Sequence, residues 1–394
     1  MADDVTFDDS GQSAAHAPPP GSTAPVTTAN ASAPQAGVDD DEEMPRVKIT
    51  RRRTLLAALF VISALAFLYV VLPKLTGLHK TWNRLGEGDP WWLAVAFVCE
   101  LLSFLSYVWL FRTVFVRSGT RIGWRASYEI TMAGVAATRL FAAAGAGGIA
   151  LTAWALRRSG MERRIVARRM IAFLGLLYIV YIGGMLIGAL GLRLHVFEGD
   201  APFGFTVVPA IFAATCVGLA GLICLLPHDV ERRLEGWAQG GGRFARIMAR
   251  AITVPASAAI GLRTAIRILA GAEPGAMGAL GWWAFDISCL WATFHAFGHA
   301  PPIAVLVTGY FVGQLANTLP LPGGIGGVEG GLIGSYAAFG VDPGLALVAV
   351  LVYRGFAFWL PIVPGAIAYA QLRKRVAGWR EERLMASEPE AVPT

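Results

Sequence analysis

The sequence predicts an all-α polytopic integral membrane protein with about six to eight spanning helices and one or two re-entrant or broken helical segments. Its composition and the length of its apolar runs predict this class. Of the 394 residues, 55% are hydrophobic and only 15% are charged, whereas apolar residues including glycine make up roughly 45–50% of a typical soluble chain. Several runs reach the roughly 18 apolar residues that indicate a transmembrane helix.

The net charge of +6 does not indicate a nucleic-acid partner. The arginines lie in short clusters between apolar runs, which is the positive-inside pattern of membrane proteins. The four cysteines lie inside apolar runs and have no metal-ligand spacing with any histidine. We therefore expect no nucleic acid, no metal and no cofactor, and cysteines that serve as small buried hydrophobic residues. These cysteines are Cys99, Cys216, Cys224 and Cys289.

The N-terminal residues 1–45 are rich in Ala, Pro, Ser, Thr and Asp and lack a periodic apolar pattern, so we expect a disordered tail. Basic residues between Arg46 and Arg53 precede the first predicted span, 54–73, and place the N-terminus in the cytoplasm. A second predicted span, at about 91–111, returns the chain to an arginine-rich loop.

Residues 127–156 do not fit a single crossing of the membrane. Such a crossing would place the densest arginine cluster of the chain, which follows at once, on the outer side. We predict instead a re-entrant hairpin that begins and ends on the cytoplasmic side, with its structural break at Gly147 and Gly148 and with Arg139 near its tip. One long span with an unusual flank is the alternative interpretation.

The remaining apolar runs continue this alternation. Further spans are predicted at about 170–192, 203–226, 276–298 and 344–371, and the arginine-rich stretch 228–270 is a predicted cytoplasmic loop. Part of that loop, 243–270, has the character of an interfacial amphipathic helix. The transmembrane domain covers 50–375, and 376–394 is a predicted cytoplasmic tail. We expect a multi-pass protein of the cell membrane with both termini in the cytoplasm.

Prolines and glycines interrupt the apolar sequence again between residues 319 and 331. Proline lacks a backbone donor and glycine weakens a helix, so a break here survives in hydrocarbon only where protein or water covers it. The apolar pieces 303–318 and 324–340 either cross separately or form a second hairpin that begins and ends outside. Two glycine-broken segments reached from opposite sides are typical of an inverted repeat. The residues of this structural break are Pro320, Pro322, Gly323 and Gly324.

Gly326, Gly330 and Gly334 follow the break at intervals of four residues and therefore share one ridge of a helix. Small residues at this spacing let a second helix backbone approach closely. We predict that this ridge is a helix-packing face.

Two opposite charges lie in the predicted membrane segments after the break. Glu329 lies beside the glycine ridge, and Arg354 lies near the middle of the last span, too deep for easy snorkelling. We predict that they pair. Two interpretations stay open: the pair locks two helices together, or Arg354 binds an anionic head group such as a phosphate and Glu329 neutralises it when the site is empty.

Further polar residues accompany this pair. The Asn317 and Gln314 amides either complete a polar site or bond freed backbone groups. Asp286 is a lone acid in its span and either carries a coupling proton or pairs two helices. Arg139 takes the position in the first hairpin that Arg354 takes in the second half. The candidate substrate-binding residues are Glu329, Arg354, Asn317, Gly323, Gly324 and Arg139.

Enzymatic motifs are absent from the sequence. It contains no acidic pair in an external loop, no HExxH, no GxSxG in a strand context and no Walker loop. We therefore expect a protein that is neither an enzyme nor its own ATP-driven motor.

The run from Asn317 to Glu329, NTLPLPGGIGGVE, together with Tyr353 and Arg354, resembles a known family. It is similar to the membrane domain of the lysylphosphatidylglycerol synthase/flippase proteins and to related stand-alone membrane proteins. Their pattern is Asn-x-x-Pro-x-Pro-Gly-Gly-x-Gly-x-x-Glu with Tyr-Arg in the final helix. In the first broken segment, where that family often has Gly-Glu and then an arginine, this chain has Gly148 and Ile149, so the resemblance assigns no role there.

The resemblance covers roughly residues 50–375, and the cytoplasmic aminoacyl-transferase domain of full-length family members has no counterpart in this chain. It implies lipid translocation or lipid handling without lipid aminoacylation. Our first hypothesis is a flippase-like transporter whose partner is an anionic or phosphate-bearing membrane lipid. The alternatives are a membrane-embedded glycosyltransferase-like or lipid-modifying accessory enzyme, and a non-catalytic partner of a cell-envelope machine.

Overall fold

The structure is a computed structural model that describes residues 86–116, 122–140, 146–225, 261–271, 274–318 and 324–387. Within these ranges the chain is helical and contains no β-strand, which confirms the predicted all-α class. Several predicted features lie outside the described residues. They are the tail 1–45, the span 54–73, residues 228–260 of the loop, and Pro320, Pro322 and Gly323 of the second break.

The helices follow the predicted apolar runs. In chain order they are α1 (Pro90–Phe115), α2 (Trp124–Leu140), α3 (Ala146–Arg158), α4 (Arg163–Arg193), α5 (Phe203–Cys224), α6 (Met277–Phe297), α7 (Ile303–Gln314), α8 (Gly327–Ala338), α9 (Pro343–Arg354) and α10 (Ile362–Ser387). Residues 261–270, the described part of the predicted amphipathic segment, are also helical.

Among the described residues, four helical stretches are long and apolar enough to cross a membrane, namely α1, α4, α5 and the continuous run from α9 through α10. α6, which corresponds to the predicted span 276–298, has 21 residues and hence a length of about 31 Å. Its Trp, Asp, Ser and His residues make it less apolar than those four stretches. α1 and α6 lie against each other along their length.

Asp-Pro pairs begin two of these helices. The carboxylate of Asp89 accepts a hydrogen bond from Trp91 N at 2.9 Å at the start of α1, and that of Asp342 accepts one from Leu345 N at 2.8 Å at the start of α9. Each aspartate satisfies a free helical N–H, and the proline after it has the φ angle of the first helical position.

α2 and α3 form the predicted first hairpin. They pack antiparallel, and their 17 and 13 residues give lengths of about 26 and 20 Å, both shorter than the roughly 30 Å hydrocarbon core of a bilayer. One long span over 127–156 is therefore excluded. The side of the membrane on which the hairpin opens stays a prediction.

We predicted the structural break of this hairpin at Gly147 and Gly148, and this prediction is wrong. Both glycines lie in the first turn of α3, and the connection between the helices is 141–145, outside the described residues. Gly148 is required for packing, because a Cβ there would lie 2.5 Å from the Gly134 carbonyl oxygen and would also meet the Thr138 hydroxyl.

α7 and α8 form a second hairpin of the same kind. Each has 12 residues and a length of about 18 Å, so neither crosses a bilayer by itself. The Ser335 hydroxyl donates to Gly309 O and the Tyr336 hydroxyl donates to Leu306 O, both at 2.8 Å, so the two helices run antiparallel. The structure thus favours the hairpin over two separate crossings.

The prediction that Gly326, Gly330 and Gly334 form a helix-packing face is wrong. Gly326, Gly330 and Gly334 are exposed, and a Cβ added to any of them would have no neighbour within 4 Å. The face that meets α7 contains Gly331 instead, where a Cβ would lie 2.5 Å from Gly313 O. The close approach therefore exists, but one residue farther along the helix, which is a rotation of about 100°.

Each hairpin has its own apolar core. One core joins α2 and α3 to the first half of α4 and to the end of α10; the other joins α7 and α8 to the second half of α4, the end of α6 and α9. Representative members are Ile130, Leu156 and Leu372 in the first core and Met185 and Val350 in the second. A layer of polar side chains lies between them.

α10 continues past the predicted end of the membrane domain. Residues 376–387 of the predicted tail are helical, and Trp379 is buried in the first core. The Arg375 guanidinium binds the buried carboxylate of Glu129 in α2 at 2.6 and 2.9 Å, which ties α10 to the first hairpin. The order of long helix, short-helix hairpin and long helix thus occurs twice, as expected for a repeat.

We expect Gly331→Ala to destabilise the second hairpin by about 1–3 kcal/mol, because the new methyl group would overlap the Gly313 carbonyl. Gly330→Ala is the matched control in the same helix, since its methyl group would meet no atom within 4 Å. Thermal denaturation of the two purified variants in detergent measures the difference. Equal midpoints would contradict the assigned packing face.

A second expectation concerns the side on which the first hairpin opens. On a background in which the native cysteines are replaced, Gly123→Cys and Glu162→Cys should react with an impermeant maleimide from the same side, and Glu198→Cys from the other. The hairpin returns to its starting side, whereas α4 crosses once. Labelling of Gly123→Cys and Glu162→Cys from opposite sides would contradict the re-entrant arrangement.

Candidate functional site

The two hairpins point their connected ends at one cavity of about 200 Å³. Thr138 and Arg139 line it from the end of α2, and Asn317 and Gly324 line it from the two sides of the second break. Further lining residues come from α1, α6, α7, the end of α9 and the turn that follows it. These are Tyr107, Trp282, Trp283, Asp286, Tyr310, Gln314, Tyr353, Arg354 and Phe358.

A widened turn in the last long helix faces this cavity. Residues Gly355–Trp359 form one π-helical turn between α9 and α10, so this stretch departs from the regular α-helical hydrogen-bond pattern. Such turns are frequent at functional sites. Here the Phe358 carbonyl accepts a hydrogen bond from Arg139 Nη1 at 3.3 Å, so the turn provides an acceptor for the first hairpin.

The predicted pairing of Glu329 with Arg354 is confirmed. Arg354 Nε donates to Glu329 Oε1 at 2.7 Å, and the side chains are only 8% and 2% exposed. The second carboxylate oxygen of Glu329 accepts from Gly326 N at 2.7 Å, which caps the start of α8. The glutamate therefore fixes the arginine and the helix start together.

Asn317, before the second break, and Gly324, after it, both line the cavity. Gly324 has φ +68°, and a Cβ there would lie 2.7 Å from Asn317 Oδ1, so both backbone conformation and space require glycine. Asn317 lines the cavity, and the Gln314 amide donates to the Tyr310 hydroxyl at 3.1 Å. These contacts favour the interpretation that the two amides complete a polar site.

Arg139 and Arg354 approach the same aromatic ring. The guanidinium carbon lies 4.5 Å from the Phe358 centroid for Arg354 and 5.7 Å for Arg139, which also lies 5.5 Å from that of Phe104. Within the described ranges, no carboxylate lies at ion-pair distance from Arg139. The two hairpin halves thus bring positive groups to one cavity, as the comparison of their positions predicted.

Asp286 is not the lone acid that the sequence suggested. Its carboxylate accepts a 2.7 Å hydrogen bond from the Tyr353 hydroxyl and a short one from that of Tyr310. Glu100, in the central part of α1 and fully buried, lies against it. Glu100 was not among the predicted site residues, although an acid inside the predicted span 91–111 indicates a functional or pairing role.

The family described as "Lysylphosphatidylglycerol synthase TM region" matches this chain over residues 55–365. Two proteins of Methanothermobacter thermautotrophicus, each named "UPF0104 membrane protein", are also similar. One is 34% identical over 170 residues, which are 42% of this chain and 47% of the relative, so the match spans about half of that protein. The other is 24% identical over 324 residues, which are 79% of this chain and 94% of the relative.

We expect Glu329→Gln and Arg354→Gln each to destabilise the protein by about 3 kcal/mol, because each leaves a charge buried without its partner. The double variant should lose less than the sum of the two, since it removes both charges. Thermal denaturation of the three variants gives the coupling. Strictly additive losses would contradict the ion pair.

Proposed function

We propose that this chain, which belongs to the lysylphosphatidylglycerol synthase TM region family, binds and translocates a phosphate-bearing membrane lipid through the cavity between its hairpins. The observation that carries the proposal is the arginine that each half of the chain directs into this cavity. In the same proposal the protein acts in the cell membrane, with both termini in the cytoplasm, and changes no covalent bond of the lipid.

Arginine suits a phosphate because its planar guanidinium donates parallel hydrogen bonds to two oxygens. Arg139 and Arg354 both contact Phe358, so their charged ends border the same space. The Asn317 amide and the Tyr353 hydroxyl add neutral polar groups to the lining. Such a lining matches an oxygen-rich anion and offers little to an apolar molecule.

The size of the cavity favours a head group over a whole ligand. About 200 Å³ is available, whereas pockets that enclose a drug-sized molecule measure roughly 300–1,000 Å³. A phosphate with a small substituent fits, and acyl chains would stay in the surrounding bilayer. This partition is what translocation of a lipid head group requires.

The Glu329–Arg354 pair keeps the arginine charge balanced when no ligand is bound. When the cavity is empty, Glu329 neutralises Arg354 at 2.7 Å. A phosphate that takes over one edge of Arg354 leaves Glu329 still bound to Gly326 N at the start of α8. Ligand binding therefore exchanges one anion for another at the arginine, and Glu329 keeps the hydrogen bond from Gly326 N.

Reconstitution into vesicles tests the proposal. With fluorescent phosphatidylglycerol, the wild type should accelerate exchange between leaflets, as measured by quenching with dithionite, and fluorescent glucosylceramide, which has no phosphate, should not respond. Arg139→Gln should lower the rate roughly tenfold or more, because it removes a charge-assisted hydrogen bond to the phosphate. Arg139→Lys should lose less than Arg139→Gln but fall short of the wild type.

Arg267→Gln is the matched control, since it removes an equal charge from an exposed position of the helical segment 261–270. Wild-type rates in Arg139→Gln would contradict the site. A chemically altered lipid in the recovered vesicles would favour the lipid-modifying enzyme instead.

A further inference from the structure

Two carboxyl groups lie side by side behind the cavity. Glu100 of α1 is 0% exposed and Asp286 of α6 is 6% exposed. The two helices pack along their length, and the carboxyl groups are near enough for the charge of each to affect the other. Neither carboxylate oxygen of Glu100 accepts a hydrogen bond from any described residue. A buried carboxylate without a donor is strongly unfavourable, so this position favours a carboxyl group that holds or shares a proton.

Asp286 connects this pair to the cavity. It lines the cavity directly and is held by the hydroxyl groups of Tyr310 and Tyr353, whereas Glu100 lies behind it. A proton between the two carboxyl groups would give Glu100 the hydrogen bond that it lacks. It would also remove the repulsion between two like charges in a medium of low dielectric constant.

The balance of charge around the cavity indicates when a further proton would bind. With one shared proton, the pair carries one negative charge, which offsets Arg139, while Arg354 and Glu329 offset each other. An anionic head group adds one negative charge. A second proton on the carboxyl pair would restore neutrality around the cavity.

We infer that Glu100 and Asp286 form a proton-binding site that takes up a proton when an anionic lipid head group enters the cavity. The inference rests on the proposed function for its ligand, but the shared proton itself does not depend on it. Titratable and charged groups on the surrounding helices also face the pair. They are Cys99 from α1, Cys289 from α6, Arg139 from α2, Tyr310 from α7 and Tyr353 from α9.

The first experiment tests the pair without any lipid ligand. Infrared spectra of the wild type in neutral buffer should contain the C=O stretching band of a buried carboxylic acid. Glu100→Gln and Asp286→Asn should each remove the band or shift its frequency, because each variant takes away one partner of the shared proton. Glu162→Gln, at an exposed N-cap without a side-chain hydrogen bond, should keep it. A wild type without the band, or variants that retain it unchanged, would overturn the pair.

The second experiment tests the coupling. Soluble dioctanoyl phosphatidylglycerol, added to weakly buffered detergent-solubilised protein with a pH indicator, should cause uptake of on the order of one proton per binding event. Binding should therefore weaken as the pH rises, by at most about tenfold per pH unit. Glu100→Gln should bind lipid without proton uptake, and Glu162→Gln should behave as the wild type. The same signal is expected in sodium-free buffer.

The outcomes separate the two proposals. Lipid binding without proton uptake in the wild type, or uptake that persists in both Glu100→Gln and Asp286→Asn, would overturn the coupling and leave the proposed function intact. A requirement for sodium would also overturn it. A wild type that binds no phosphatidylglycerol would refute the proposed ligand and the coupling with it, whereas the infrared band would still decide the carboxyl pair.

Discussion

The ion pair between Glu329 and Arg354 is the interaction on which the rest of the site depends. A charged side chain at membrane depth costs about 2.5–3.5 kcal/mol even on insertion scales, so each residue has to be placed where the other can reach it. Glu329 lies in the first turn of α8, and Arg354 ends α9. Their contact fixes the second hairpin beside the widened turn, and Phe358 of that turn receives Arg139 from the first hairpin.

Broken helices in a membrane must be covered by protein or water. In this fold, apolar cores cover the short helices, and a polar cavity lies at their connected ends. Each hairpin is enclosed by its own apolar core, so most of its backbone is shielded by packed side chains. Only the connected ends reach the layer between the cores, where polar groups collect around the cavity. Apolar packing thus stabilises the two hairpins, and the polar layer between the cores is available to bind a ligand.

The parts of this arrangement that could be predicted from the sequence are those in which the alternative is energetically unfavourable in a membrane. Charges at depth had to pair, and a single crossing over 127–156 would have placed the densest arginine cluster on the outer side, so the Glu329–Arg354 pair and the first hairpin were predictable. Glycine was harder to interpret, because the same residue serves breaks, turns and close packing. Gly148 was predicted to lie at a break but packs against α2. Gly330 was predicted to face a neighbouring helix, but it is the adjacent Gly331 that packs against α7. Pattern alone does not fix the rotation of a short helix that has small residues on several faces.

The widened turn at Gly355–Trp359 sets the rotational phase of everything that follows it. Each residue of a helix advances the chain by about 100° around the axis, so shortening this turn by one residue would swing the whole of α10 by that angle. Gly365, whose bare backbone lies against Met132 and Ala136, would then face another direction, and so would Arg375. A single deletion at this turn would therefore break the contacts that join the C-terminal helix to the first half of the protein.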